Sequence, residues 1–473
     1  MKTIAMRVLV GCVIFGLLIS ACSPGNSTPA PSSPAQETSV PASDLSSPAP
    51  ELTPTQTLPR GLTVCLGQEP NSLYPFGTLN SAARSVLGAI YDGPIDTFTN
   101  GYQPVILEKI PSIENGDAQV AEVAVKTGDP VVDEAGNLAV LDVGLNVFPS
   151  GCKEDACAVK YDGHTELKMD QLVVTFHILP ALTWSDGTPL TSADSVFAFK
   201  LASDKDTPGS KYLVDRTGAY EAIDAQAVQW WGVPGFIDAA YASHFWSPLP
   251  SHLWSKVPAA ELAKGDFKAH APVGWGAYIF KDWAPGNYIS LEKNPAYFRA
   301  SEGLPRFDTL TFLFVKDAPA GISALVSHQC DVLDTSLRLE NEINLLTELQ
   351  RSDQVKLVTA TTPLIERLDF GIKPASYDDS YAPGFGDRQD IFGDVRTRQA
   401  ITYCLDRQKV VTTVLGGISK VPDTFVSPDH PLFNAQAVNY GFSINSGIGL
   451  LEQVGWLDVD NNPATPRLAS GTE

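Results

Sequence analysis

Cysteine is the residue type whose spacing here most readily implies chemistry, and the chain has seven of them. Cys152 and Cys157 lie in the polar run Ser150-Gly-Cys-Lys-Glu-Asp-Ala-Cys157, where a small local disulfide is the expected pairing. A metal site would need two more ligands, and only His164 is near, so no metal is expected. Cys404 falls on an apolar helical face and reads as a buried thiol. The other chemistry-bearing residues form no recognisable catalytic pattern. There is no His-Glu-x-x-His, no Gly-x-Ser-x-Gly, no Walker loop and no Gly-x-Gly-x-x-Gly after a strand. His164, His177, His244, His252, His270, His328 and His430 are scattered. Asp and Glu are plentiful, which leaves a carboxylate pair open. The balance shifts from enzyme towards binding, with no catalytic residue and no cofactor expected.

Cys22 belongs to a different chemistry. Lys2 and Arg7 precede an apolar run, Val8 to Ile19, too short to span a bilayer and of signal-peptide length. The run ends in Ile19-Ser20-Ala21-Cys22, which resembles the bacterial lipobox. Small residues admit the backbone to a peptidase cleft, and the cysteine sulfur takes a diacylglycerol. The competing reading is an ordinary secretory signal with a chance cysteine. Residues 1–21 are thus expected to be a lipoprotein signal peptide. Residues 22–59, mostly Ser, Pro, Thr and Ala, are expected to be an extended tether. The expected address is the outer face of the cytoplasmic membrane, on the periplasmic side if a second membrane exists.

The elements that must position any site come next. Leu62 to Leu66 reads as a strand, and Ser81 as the cap of a helix running to Tyr91. Residues from about 117 to 180 alternate in short β-like runs. Thr191 and Asp194 read as a capping box. Asp394 reads as the cap of one helix with Ile401, Cys404, Leu405, Val411, Val414 and Leu415 on its apolar side, ending at Gly416-Gly417. Residues 445–454 read as another helix, stopped by Gly455. Lys and Arg number 33 against 54 Asp and Glu, a net charge of −21, which argues against nucleic acid or an anionic surface as partner.

Four stretches resemble family 5 of the solute-binding proteins that serve peptide-type ABC importers. The first is Leu62-Thr-Val-Cys-Leu-Gly-Gln-Glu-Pro-Asn-Ser-Leu-Tyr-Pro75, followed by the helix that ends in Ile90-Tyr-Asp-Gly93. The second is Leu182-Thr-Trp-Ser-Asp-Gly-Thr-Pro-Leu-Thr-Ser-Ala-Asp-Ser-Val-Phe197. The third is Pro272-Val-Gly-Trp-Gly-Ala-Tyr278 with Leu291-Glu-Lys-Asn-Pro-Ala-Tyr-Phe298. The fourth is Asp394-Val-Arg-Thr-Arg-Gln-Ala-Ile-Thr-Tyr-Cys-Leu-Asp-Arg407, with Leu450-Leu-Glu-Gln-Val-Gly-Trp456 after it. These motifs read mainly as marks of the fold: Trp184 to Gly187 as a buried aromatic and turn, Asn294-Pro295 as a turn. Arg396, Arg398 and Arg407 read as ion-paired with Asp394 and Asp406. Trp275 and Ala277 depart from the family pattern.

The resemblance implies an α/β, bilobal periplasmic-binding-protein-like fold with an additional β-rich domain. Lobe I would take about 60–95 and 273–335, the extra domain about 96–272, and lobe II about 336–473. In the family a further long segment follows the last motif, so lobe II is expected to be incomplete, with a C-terminal truncation. The dipeptide-binding branch further implies a Cys65–Cys330 disulfide. The implied function is a monomeric, lipid-anchored receptor that captures a peptide or other small solute and hands it to an ABC permease. Ligand candidates are Asp429, as either the partner of a peptide amino terminus or a surface turn carboxylate, Asn80, Ser81, Asn287 and Tyr288 by position, and Trp275 as either a stacking ring or core filling. Alternatives are an oligosaccharide, opine or metal-chelate ligand, a peptide-sensing surface lipoprotein, and a secreted hydrolase.

Overall fold

A computed structural model describes residues 59–98, 100–266, 271–360, 364–372, 390–428, 430–462 and 465–469. All lie in one compact unit, Leu58–Glu473. The signal and lipobox with Cys22, the tether up to residue 58, and Asp429 fall outside the described residues.

The unit opens with strand β1 (Gly61–Leu66) and helix α1 (Ser81–Ile90). A hairpin follows, β2 (Ile95–Phe98) and β3 (Gly101–Pro104). Next come β4 (Ala118–Val125), β5 (Pro130–Val132), β6 (Leu138–Val140), β7 (Asn146–Val147), β8 (Val159–Lys160) and the long β9 (Leu167–His177). Helices α2 (Ser192–Ser203) and α3 (Tyr212–Asp215) precede β10 (Thr217–Ala222) and β11 (Ala227–Gly232). Short helices α4 (Ser251–Trp254) and α5 (Ala259–Leu262) lead to β12 (Tyr278–Ala284), β13 (Tyr288–Lys293) and β14 (Thr309–Phe314). Helix α6 (Ala318–Val326), β15 (Val332–Leu333) and α7 (Ile343–Arg351) follow. The last elements are α8 (Val395–Cys404), α9 (Arg407–Val414), α10 (Ile444–Gln453), β16 (Trp456–Leu457) and β17 (Leu468–Ala469). Among the described residues no helix is long and apolar enough to cross a membrane.

Two sheets organise most of these elements. The first has the order β12-β13-β14-β1-β15, with β1 parallel to both β14 and β15. Helix α1 covers it. Ala82, Ala83, Val86, Leu87 and Ile90 recur at three- and four-residue spacing and are buried; most of them join Ile289, Leu291, Leu310 and Phe312 in one apolar cluster. Cys65 on β1 is bonded to Cys330 just before β15, and both are buried. The second sheet is antiparallel, β10-β11-β9-β4, and its inner face holds Phe176, Trp230 and Tyr220. A separate small core of Val131, Leu141, Val147 and Met169 fills the segment that carries the second disulfide, Cys152–Cys157.

The local reasons are legible at single residues. Trp184 is fully buried, and the turn behind it closes by a Gly187 N–H bond to the Trp184 carbonyl at 2.9 Å, with Gly187 at φ 86°. Asp194, only 3% exposed, accepts four hydrogen bonds: from the Thr191 N–H (2.9 Å), Trp184 Nε1 (3.3 Å), and the Ser251 N–H (3.2 Å) and hydroxyl (2.6 Å). It thereby joins the turn, the start of α2 and the start of α4. Asn294, also buried, donates Nδ2 to the Gly276 carbonyl at 2.8 Å and accepts the Ala296 N–H.

Four expectations are corrected. Asn80, not Ser81, caps α1: its Oδ1 accepts the Ala83 N–H at 2.8 Å, and Ser81 is the first helical residue. The helix expected from Asp394 to Gly416 is two helices, because Asp406 accepts the Lys409 N–H and starts α9 afresh. Cys404, at the end of α8 beside that break, is an exposed free thiol rather than a buried one. Of the three arginines, Arg396 pairs with Asp394 at 2.6 Å, whereas Arg398 and Arg407 bind backbone carbonyls of Gly393 and Tyr440.

His244 gives this fold a pH response. It is buried against Trp230 and Phe236, and its Nε2 meets Asp238 at 2.9 Å. Burial pushes its pKa down from 6.5, and Asp238 only partly opposes that. The unfolded chain therefore binds a proton that the folded chain refuses. Stability is fully present above about pH 6.5 and falls as the solution is acidified through that value. Thermal melting of wild type should fall more steeply between about pH 7 and about pH 5 than that of His244→Phe. Parallel pH profiles for the two proteins would contradict this assignment.

Candidate functional site

Parallel strands end where a chain can build a crevice from loops, and here β1, β14 and β15 end together. Immediately after β1, the Gly67 N–H donates to the Ser336 hydroxyl at 3.0 Å. A Cβ at Gly67 would lie 2.7 Å from the Ser336 carbonyl oxygen, so this close approach of two backbones needs glycine. After β15, Asp334 accepts the Ser336 N–H at 2.7 Å and, from α1, the Ser85 hydroxyl at 2.7 Å. Gln68 Nε2 donates to the Ser81 hydroxyl at 3.0 Å. Gln68, Ser81, Ser85, Asp334 and Ser336 thus form a hydrogen-bonded polar rim over the carboxyl end of the sheet.

Glu69 holds the second wall. Its carboxylate accepts the Trp283 indole N–H at 2.7 Å and the Gly286 N–H at 3.1 Å, which pins the tip of the β12–β13 hairpin. Its backbone carbonyl accepts Asn80 Nδ2 at 2.8 Å. The hairpin tip, the cap of α1 and the turn after β1 are therefore one unit. Asn287 is exposed on that tip, with its N–H bonded to the Ala284 carbonyl and its carbonyl accepting the Phe314 N–H. The Tyr288 hydroxyl reaches Asp282 at 3.4 Å.

The structure brings Asn80, Ser81, Asn287 and Tyr288 into this neighbourhood. It does not bring Trp275. That ring is 1% exposed, donates Nε1 to the Asp92 carbonyl at 2.7 Å, and meets Tyr91 and Trp184 edge-on at 5.3 and 5.5 Å. It fills core at the far end of α1 and offers no open face for stacking. Glu69, Ser85, Asp334 and Ser336 were not singled out from sequence. The acidic turn after the first strand and the Asp334-Thr-Ser336 turn after the last were the available signals. Among the described residues no group of three His, Cys, Asp or Glu is placed to hold a metal ion. The rim offers hydroxyl, amide and carboxylate groups suited to a polar solute.

A family model for the bacterial extracellular solute-binding proteins, family 5 Middle, matches residues 162–471. The oligopeptide-binding protein AppA of Bacillus subtilis is 27% identical over 299 residues, covering 60% of this chain and 49% of that protein. The periplasmic oligopeptide-binding protein OppA of Escherichia coli is 26% identical over 262 residues, covering 52% and 44%. The chain thus spans about half the length of the curated relatives it matches. Among solved structures, AppA of Bacillus subtilis in complex with a nonapeptide superposes with a TM-score of 0.50 at 20% identity, covering 88% of this chain and 68% of that one. The substrate-binding protein CtaP of Listeria monocytogenes gives 0.52 at 18% identity, covering 83% and 64%. A mannohexaose-bound oligopeptide-binding protein of Thermotoga maritima gives 0.51 at 15% identity, covering 86% and 64%. These neighbours share the mixed α/β, bilobal fold, and the chain belongs to family 5 of the bacterial extracellular solute-binding proteins.

Proposed function

We propose that this protein is the receptor of an ABC importer, capturing peptides at the crevice over the carboxyl ends of β1, β14 and β15 and delivering them to a membrane permease. The family match over residues 162–471 carries this reading. The names of the relatives, oligopeptide-binding proteins, favour peptide over other solutes. In this reading lobe I takes about 60–95 and 273–335, the extra domain about 96–272, and lobe II begins near 336. Asn80, Ser81, Asn287 and Tyr288 are then candidates for the ligand-facing wall, and Asp429 for the amino terminus of the peptide. Capture follows from closure: a ligand favours the closed form only by binding it better than the open one. The mannohexaose-bound neighbour makes an oligosaccharide the specific competing ligand class.

The lipobox-like Ile19-Ser-Ala-Cys22 supports attachment to the outer face of the membrane. A lipid on Cys22 would hold the receptor beside its permease and raise the local concentration of captured solute. Intact-mass spectrometry of protein extracted from membranes tests this directly. The expected result is a chain that starts at Cys22 and carries acyl groups, and a Cys22→Ala protein found without them. An unacylated chain cut elsewhere would sink the anchor.

A further inference from the structure

The outer face of the second sheet carries a concavity of about 300 Å³ that the crevice above does not use. It is lined by Gln171, Gly218, Ala219, Glu221 and Trp231. The backbone explains why it is there. Trp231 stands opposite Ala219 on β10 and Val173 on β9, so these three side chains share the outer face, while Trp230 points into the core. A bulge between Thr217 and Ala219 inserts Gly218 into β10 at this point. The bulge and the small residues at 218 and 219 leave the half-buried indole of Trp231 without a bulky neighbour on that strand. Glu221 lies two residues along on the same face and is exposed. Gln171 spends its Nε2 on the Gly232 carbonyl at 2.8 Å, which leaves its carbonyl oxygen for a ligand.

The lining therefore combines an indole, a carboxylate and an amide, with no Lys or Arg among its residues. An indole face attracts a cation through its quadrupole, and a carboxylate beside it adds Coulomb attraction. The net charge of −21 draws cations to the whole surface. An anion is disfavoured on every count. A neutral sugar could stack on Trp231 but would gain nothing from the charge.

We propose that this concavity is a second, low-affinity site for a small organic cation, a quaternary or protonated amine in free solution, seated on Trp231 with its charge against Glu221. Choline chloride is the probe, with glucose and sodium acetate as the neutral and anionic comparators. Saturation-transfer NMR on the full chain should show choline contacts that weaken as salt is raised. Trp231→Leu, which keeps an apolar side chain but no π face, and Glu221→Gln, at an exposed position, should each weaken choline binding about two- to fivefold. Both variants are checked for an unchanged melting temperature, and Glu221→Gln alone decides the matter if Trp231→Leu does not fold. Choline binding that is equal in wild type and Glu221→Gln overturns the proposal. So does glucose binding at the same site with equal or greater strength, or protein that binds phosphatidylcholine vesicles but not free choline.

Discussion

Replacing Cys65 and Cys330 together by Ala should lower the unfolding free energy by about 5 kcal/mol. The bond closes a loop with a sequence separation of 265, whereas Cys152–Cys157 closes one of 5. In the chain-entropy account the cost to the unfolded state grows with the logarithm of loop length, so the short loop is worth only about 2 kcal/mol. Location adds to the contrast. Cys65 lies in β1, paired on both sides by β14 and β15, and packs with Cys330, Ala324 and Leu337 in one buried cluster, while Cys157 is exposed. The bond also ties β1 to the turn before β15, one wall of the candidate crevice. Urea unfolding of the two double variants, followed by circular dichroism, measures the difference. Equal midpoints would contradict it.

The second large effect is expected at Asp194. Asp194→Ala removes the acceptor for four donors, among them the indole N–H of Trp184, whose ring is fully buried. A buried donor left without a partner costs roughly 1–3 kcal/mol. Water can reach part-buried Ser251 and Thr191 but not Trp184, so the net loss should be about 3 kcal/mol, seen as a fall of about 3–4 °C in the melting temperature of a unit this size. Asp194→Asn should lie between, because it keeps one acceptor oxygen but turns an NH₂ towards two donors. A melting temperature unchanged in Asp194→Ala would show that the carboxylate is not what joins the turn to α2 and α4.

How much of this could be read from the sequence depended on whether a residue's role is local. The strand at Leu62–Leu66, the Trp184–Gly187 turn and the helix stopped by Gly455 were legible, since each is set by its own few residues. Asp394 capping α8 was legible for the same reason. Position 275 was not. A Trp in a Gly-rich run looks the same whether it faces a ligand or a core, and only the packing of Gly274 and Gly276 against the carbonyl of Ile90 decides it. The break between α8 and α9 was missed because the apolar period runs straight across it, while Asp406 acts on the backbone and not on that period. Cys404 followed from that error. The members of the polar rim were hidden for a topological reason: Gln68 and Ser85 lie far along the chain from Asp334 and Ser336, and the two groups meet only because β1 is paired with β15.

The family assignment rests on a match across most of the chain, and the fold on neighbours that share it. The ligand rests on the names of relatives and on a rim that would suit several polar solutes. Isothermal titration of the full chain, stripped of any carried-over solute by denaturation and refolding, against a random peptide library and against an oligosaccharide of matched size addresses the ligand class directly. Heat and saturation are expected with peptides and none with the sugar. Saturation with the oligosaccharide alone would contradict the peptide reading.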